Sequence, residues 1–423
     1  MYPFVAPGEP LEVLTTNACI GDEPADEVRI WAPLRRNASL RFAADADGLF
    51  DLDASTMRIA HPSLGASAVN VSLSDGRGLG RVEATTFGGQ SRISSVVLHW
   101  LNLPVIESSI GATTEMPRGR WSTEAGPWRL TLEGRQDLND TIRTMRYDDQ
   151  QYAMTHVGEL SRIDGMPFAS SEAEDVIFGW QLAMSFALGR WVAPALPVGF
   201  DSGGMRVWEQ WAPWRCDEMF GYQCWWNDRC GDDLGSFVAR FLAAFLDDDH
   251  RAVTRYVASY TIAGNHSGTT AEGKVMLAFA GLDYLGWVDL KLAEKVSRQE
   301  YKDLGAARRL RLLLDEAGIP TATPQQLDAL IQLGTAESDV DADGPGTASW
   351  VRNRLVHPKD PKSIYRGAYV WQAAQLLLEY AELLLLRRIG YTGEFQRRYP
   401  PGRSQWEHEP VPWSRPNPAN TAS

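Results

Sequence analysis

The chain has 423 residues, of which 44% are hydrophobic and 22% charged, enough for two or three domains with sizeable cores. A formal net charge of −13 excludes a protein that coats nucleic acid nonspecifically, because a polyanion is repelled by the average field. Four cysteines exclude a disulfide-built scaffold, and with no apolar run approaching a membrane span a cytoplasmic protein with no membrane partner is expected.

Residues 1–125 read as a β-rich domain. Runs such as "EVRIWAPL", "AVNVSLSD" and "SSVVLHWL" are separated by Gly, Asp, Asn and Pro, which suits a sandwich or a partly open barrel. "SDGRGLG" (74–80), with Gly76, Gly78 and Gly80, completes no phosphate-loop pattern and reads as a hairpin turn. Residues 126–235 form an α+β section, either separate from the first or continuous with it. Its strands are "PWRLTLEG", "QYAMTHVGEL", "PALPVGF" and "MRVWEQW", and its helix spans 171–191 with Ser171 as cap. Cys216, Cys224 and Cys230 lack the C-x-x-C spacing of structural zinc sites, so no metal or other cofactor is expected. The neighbouring Trp208, Trp211, Trp214, Trp225 and Trp226 are expected to pack in a core rather than to line a ligand pocket or stack on bases.

From 236 to 398 apolar residues recur at three and four, and a helical bundle is expected. The fold class is therefore α+β multidomain. An acidic Gly-rich loop (334–347) and a Pro-rich tail (399–423) are expected to be mobile. Between Arg352 and Arg403 ten basic residues face four acidic ones, which reads as a solvated basic face before it reads as a phosphate site.

One stretch of the bundle carries chemistry. In "ASWVRNRLVHPKD" (348–360) Pro358 disfavours the helical conformation at His357, so the helix should end there. The imidazole is then free to fold back beside Arg352 and Asn353. Arginine grips phosphate through two parallel bonds, and histidine moves protons near neutral pH. The set suits cleavage of a ribose phosphodiester without metal: the 2′-OH attacks phosphorus, His357 moves a proton and Arg352 stabilises the developing charge. One histidine does not easily serve both nucleophile and leaving group, so a homodimer with two copies of His357 is expected. Arg354, Lys359 and Lys362 are candidate phosphate contacts. Similar spacings at Arg403 to His408 and Arg92 to His99 lack the helix and the asparagine, so spacing alone is a poor discriminator.

"RNRLVHP" resembles the R-N-x-x-x-H signature of HEPN domains, four- to five-helix bundles, and the long β-rich region ahead of it is similar in layout to the Apea-like subgroup. The resemblance covers roughly 240–395. It implies a dimeric, metal-independent endoribonuclease of a prokaryotic toxin or phage-defence type, with Arg352 and His357 catalytic and Asn353 supporting. The N-terminal region would then meet a trigger or an antitoxin partner. Asp283, in "AGLDYLGW", resembles the family's acidic position. Glu272 could orient the arginine, although "TTAE" reads first as a capping box with Thr269 as cap. The other reading of the same residues is a binding module that holds a nucleotide, RNA or protein partner without turnover.

Overall fold

The computed structural model describes residues 1–45, 55–75, 77–106, 120–147, 152–226, 231–359, 367–399 and 408–414. The chain divides into two compact units: Met1–Gln181 with Trp191–Gly221, and Leu182–Arg190 with Tyr222–Ser423.

The first unit opens with β1 (Leu11–Ile20), β2 (Glu23–Ala32), β3 (Arg41–Asp45), β4 (Thr56–His61), β5 (Gly65–Leu73) and β6 (Leu79–Val82). Buried and exposed residues alternate along most of these strands, broken in β1 by two irregularities, and Val28, Ile30, Phe42, Met57, Ile59, Val69 and Val71 fill the interior. The strands pair in the order β1-β2-β3-β6-β5-β4 and close on β1, so the barrel is closed rather than partly open. Full closure removes the unpaired edges that an open sheet would expose. The expected hairpin turn at 74–80 lies between β5 and β6, where Asp75 Oδ1 accepts the amides of Arg77 and Leu79; Gly76 lies outside the described residues.

A seven-stranded antiparallel sheet follows, made of β7 (Thr85–Phe87), β8 (Ser95–Leu101), β9 (Arg120–Ala125), β10 (Trp128–Gly134), β11 (Met154–Arg162), β12 (Ala193–Phe200) and β13 (Arg206–Trp211). Its order is β9-β10-β11-β8-β12-β13-β7. Helix α1 (Leu138–Tyr147) was not expected from the sequence, because only Leu138, Thr141 and Met145 are buried on it. Helix α2 (Ser170–Ala187) starts one residue before its expected cap. Ser171 lies inside the helix, and Glu172 accepts the Ala169 N–H at 3.0 Å. At the centre of the unit the fully buried Glu209 carboxylate accepts from Tyr2 Oη, from Trp211 Nε1 at 2.7 Å and from Arg206 Nη1 at 3.1 Å, and meets His61 Nε2 at 3.2 Å. Four partners surround this buried charge, which offsets its desolvation.

The second unit is helical: α3 (Gly231–Leu246), α4 (Asp248–Asn265), α5 (Ala271–Gly286), α6 (Arg298–Asp303), α7 (Ala306–Ala317), α8 (Asp328–Ala336), α9 (Gly344–Val356) and α10 (Ala368–Arg388). A π-helical turn, Trp287–Leu292, prolongs α5. Helix α10 is buried from Ala373 to Leu386. Its polar residues Gln375, Glu379 and Glu382 share one stripe at spacings of four and three, and Arg398 lies along it. The guanidinium bonds Glu382 and Asn265, and the Arg398 amide donates to Glu379.

Both stretches expected to be mobile make specific contacts where they are described. Arg311 on α7 bonds Asp341 and Asp343 of the acidic loop, and 344–347 form the first turn of α9. In the tail, Tyr399 is buried, His408–Pro410 pairs with Glu394–Gln396, and Trp413 donates to the Tyr391 carbonyl; residues 400–407 and 415–423 lie outside the described residues. Among the described residues no helix is long and apolar enough to cross a membrane.

Candidate functional site

Helix α9 carries the residues singled out above. Asp343 caps it, its Oδ1 accepting the Gly346 amide at 2.7 Å, and Pro345 supplies a fixed φ in the first turn. The start of α9 packs so closely that a Cβ on Gly344 would stand 2.3 Å from Tyr380 Oη. At the other end the helix stops where Pro358 requires. His357 has φ −126° and ψ 72°, and its amide bonds the Asn353 carbonyl at 2.8 Å.

Arg352 is three-quarters buried. Its Nη1 donates to Asn353 Oδ1 at 3.0 Å, and its guanidinium lies over the Phe279 ring at 5.0 Å. Nη2 stands 3.9 Å from the Asp283 carboxylate of α5, which also faces Arg309 of α7 at 3.6 Å. Burial pushes the Asp283 carboxyl above the usual carboxylate range, and the two arginines pull it back. An arginine, a carboxylate and a second arginine thus join α9, α5 and α7. Arg309 and Phe279 were missed in the sequence, where "AARRLRLLL" gives no reason to prefer one arginine.

His357 was expected to fold back beside Arg352, but among the described residues no hydrogen bond or ion pair joins the two, and Arg352 is engaged by Asn353, Asp283 and Phe279. Five helical positions place two side chains about 140° apart around the axis. The imidazole is exposed and makes no hydrogen bond or ion pair among the described residues. Glu272 lies in the first turn of α5, ~16 Å along the axis from Asp283. Thr270, not Thr269, caps that helix, its oxygen accepting the Gly273 amide; Thr269 donates to the Ala263 carbonyl. Arg354 and Lys359 share Asp339, at 3.6 and 3.5 Å, and Lys362 lies outside the described residues.

Among the described residues, most of the basic stretch read as a solvated face pairs with acidic side chains. Arg388 pairs with Asp289, Arg397 with Glu379 and Glu409, and Arg398 with Glu382. Among the described residues no group of His, Cys, Asp and Glu side chains is placed to hold a metal ion. Cys216 is buried, Cys224 half-buried, and Cys230 lies outside the described residues. Trp208, Trp211 and Trp214 are buried in the first unit, and Trp225 and Trp226 in the second.

Residues 88–222 match the family model described as the YopA central domain, and residues 247–411 match that of the YopA C-terminal domain. The likeness is to YopA. The chain is 26% identical over 298 residues to the SPbeta prophage-derived uncharacterized protein YopA of Bacillus subtilis (strain 168), a stretch that covers 70% of this chain and 66% of that protein. The match therefore spans slightly less than two thirds of the relative. No solved structure matches. These findings correct the HEPN resemblance: both matched regions are of the YopA type, and nothing in the comparisons indicates a HEPN domain. The signature was three residues in six positions, a pattern short enough to arise at an ordinary helix end, and residues 231–388 form eight α-helices where the resemblance implied four or five. The YopA C-terminal match spans α9 and all of the residues around Arg352.

Proposed function

We propose that the helical unit is a metal-independent endoribonuclease that works as a homodimer in the cytoplasm, in a prophage-encoded toxin or phage-defence role suggested by the origin of the YopA relative. The observation that carries the reading is an arginine held between Asn353 and Asp283 on the helix whose end presents an exposed imidazole.

Arg352 takes the scissile phosphate, exchanging its weak 3.9 Å contact with Asp283 for two charge-assisted bonds. Asp283 is a positioning residue that holds the guanidinium until substrate arrives. The substrate's 2′-OH attacks phosphorus, the bond to the 5′-oxygen breaks, and the products are a 2′,3′-cyclic phosphate and a free 5′-OH. Proton removal from the 2′-OH and proton delivery to the leaving oxygen fall to the two copies of His357. A second copy is required because His357 lies well around the helix from its own Arg352. Arg354 and Lys359 contact flanking phosphates by displacing Asp339, whose pairs with them are partly exposed and weak.

A second reading, a binding module without turnover, is favoured by the partnering of Arg352 within its own unit. Cleavage of RNA in excess chelator separates the two. We expect 2′,3′-cyclic phosphate ends, and a loss of at least about a hundredfold in rate for His357→Ala with an unchanged melting temperature. Saturable RNA binding with no cleavage by the wild-type chain would establish the binding module instead, and equal cleavage by His357→Ala would remove the site assignment.

A further inference from the structure

The first unit contains a cavity of about 360 Å³ within the stretch that matches the YopA central domain. Its floor is a bulge in β12. Between the pairs Val97 with Val198 and His99 with Ala195, Leu196 and Pro197 of β12 face Leu98 alone. Leu196 has φ +47°, a left-handed conformation that a branched side chain rarely adopts. Buried His99 holds it there. His99 Nε2 accepts the Tyr2 amide at 3.1 Å, so the proton sits on Nδ1, which donates to the Leu196 carbonyl at 3.0 Å. A strained residue on a bulge, fixed by a buried side chain, is characteristic of places where a sheet is shaped for a ligand.

The walls come from α2 and from residues 210–215. Trp191, Trp214 and Phe178 give flat apolar surface, and the indole N–H groups of Trp191 and Trp214 are buried without hydrogen-bond partners among the described residues. Four polar side chains converge on this apolar lining. Glu174 is half-buried with no cation beside it among the described residues, and burial lifts its carboxyl pKa. Gln181 spends Nε2 on the Val192 carbonyl at 3.0 Å, which leaves Oε1 as an acceptor. The Gln210 amide has no partner among the described residues. Arg215 lies exposed at the rim, over the Trp191 ring at 5.3 Å.

We propose that this cavity binds a guanine nucleotide. Flat walls suit a planar ring, and the polar groups decide which ring. Glu174 is a carboxylate with two acceptor oxygens, and guanine presents two adjacent donors, N1–H and N2–H, to match it. Gln210 donates to O6, and Gln181 Oε1 accepts the remaining amine hydrogen. Adenine would turn the lone pair of N1 toward the carboxylate and lose that pairing. Arg215 at the rim meets the phosphate.

Isothermal titration of the full chain with GMP, AMP, UMP and guanosine tests this. We expect saturable GMP binding, AMP and UMP binding weaker by about tenfold or more, and a loss of about tenfold or more for GMP with Glu174→Gln. Arg215→Ala should weaken GMP and leave guanosine unchanged. Both substituted residues are partly or fully exposed, and melting temperatures of the variants verify that they fold. No GMP binding at millimolar concentration, AMP binding as tight as GMP, or a GMP affinity indifferent to Glu174→Gln in a folded variant would each overturn the proposal.

Discussion

Two buried histidines that the chemistry does not use are shifted far below the ordinary imidazole range. His156 is completely buried and its pKa falls to about 3 through desolvation. Burial takes His99 to about 4, against the opposing pull of the Leu196 and Ala195 carbonyls. Both values lie below the ordinary 6.5, so between these limits the unfolded chain binds more protons than the folded one. Their contribution is therefore complete above about pH 6.5 and is lost as pH falls toward 4 and then 3; by about pH 4.5 the two together remove on the order of 5 kcal/mol. Urea unfolding between about pH 7.5 and 4.5 should show this slope, and His156→Leu should flatten it. A slope unaltered by that substitution would assign the acid sensitivity to carboxylates elsewhere. At this scale "RNRLVHP" was readable as arginine, asparagine and histidine at a helix end. Which way each side chain points was not readable, because it depends on Asp283, Arg309 and Phe279, which come from other helices much earlier in the chain.

Helix α9 depends on its cap. Asp343 closes the first turn and receives Arg311, so one carboxylate joins the N-terminus of α9 to α7. Asp343→Ala should destabilise the chain by about 1–3 kcal/mol, from a lost cap and a lost, partly screened ion pair. Asp343→Asn should recover part of this, since an amide oxygen still caps. Equal unfolding midpoints for wild type and Asp343→Ala in urea would show that packing of Gly344 and Gly346 alone holds the turn. Most elements were legible from periodicity, because their buried faces repeat every two or 3.6 residues. Helices α1 and α4 were missed. Tyr256 and Arg255 interrupt the apolar stripe of α4, and only three residues of α1 are buried. The π-helical turn after α5 was unreadable as well, since "GWVDLKL" continues the helical pattern of apolar residues through it.

For the whole molecule, the proposed ribonuclease requires two copies. Sedimentation at micromolar concentration should show a dimer, and His357→Cys should form a cross-link between copies with a short bifunctional maleimide. A monomer throughout the concentration range of activity, or a dimer of the His357→Cys variant that the reagent cannot join, would exclude a composite site. The sequence by itself determined the order of β-rich and helical regions, the end of α9 at Pro358 and the hairpin at 74–80, because these follow from local sterics and from the period of burial. Only the tertiary structure decided that the barrel closes, that Arg388, Arg397 and Arg398 are spent on internal acids, that Arg352 bonds Asn353 and faces Asp283 rather than His357, and that Glu174 and Arg215 share a cavity. Those outcomes depend on which distant side chains meet, and a linear pattern carries no record of that.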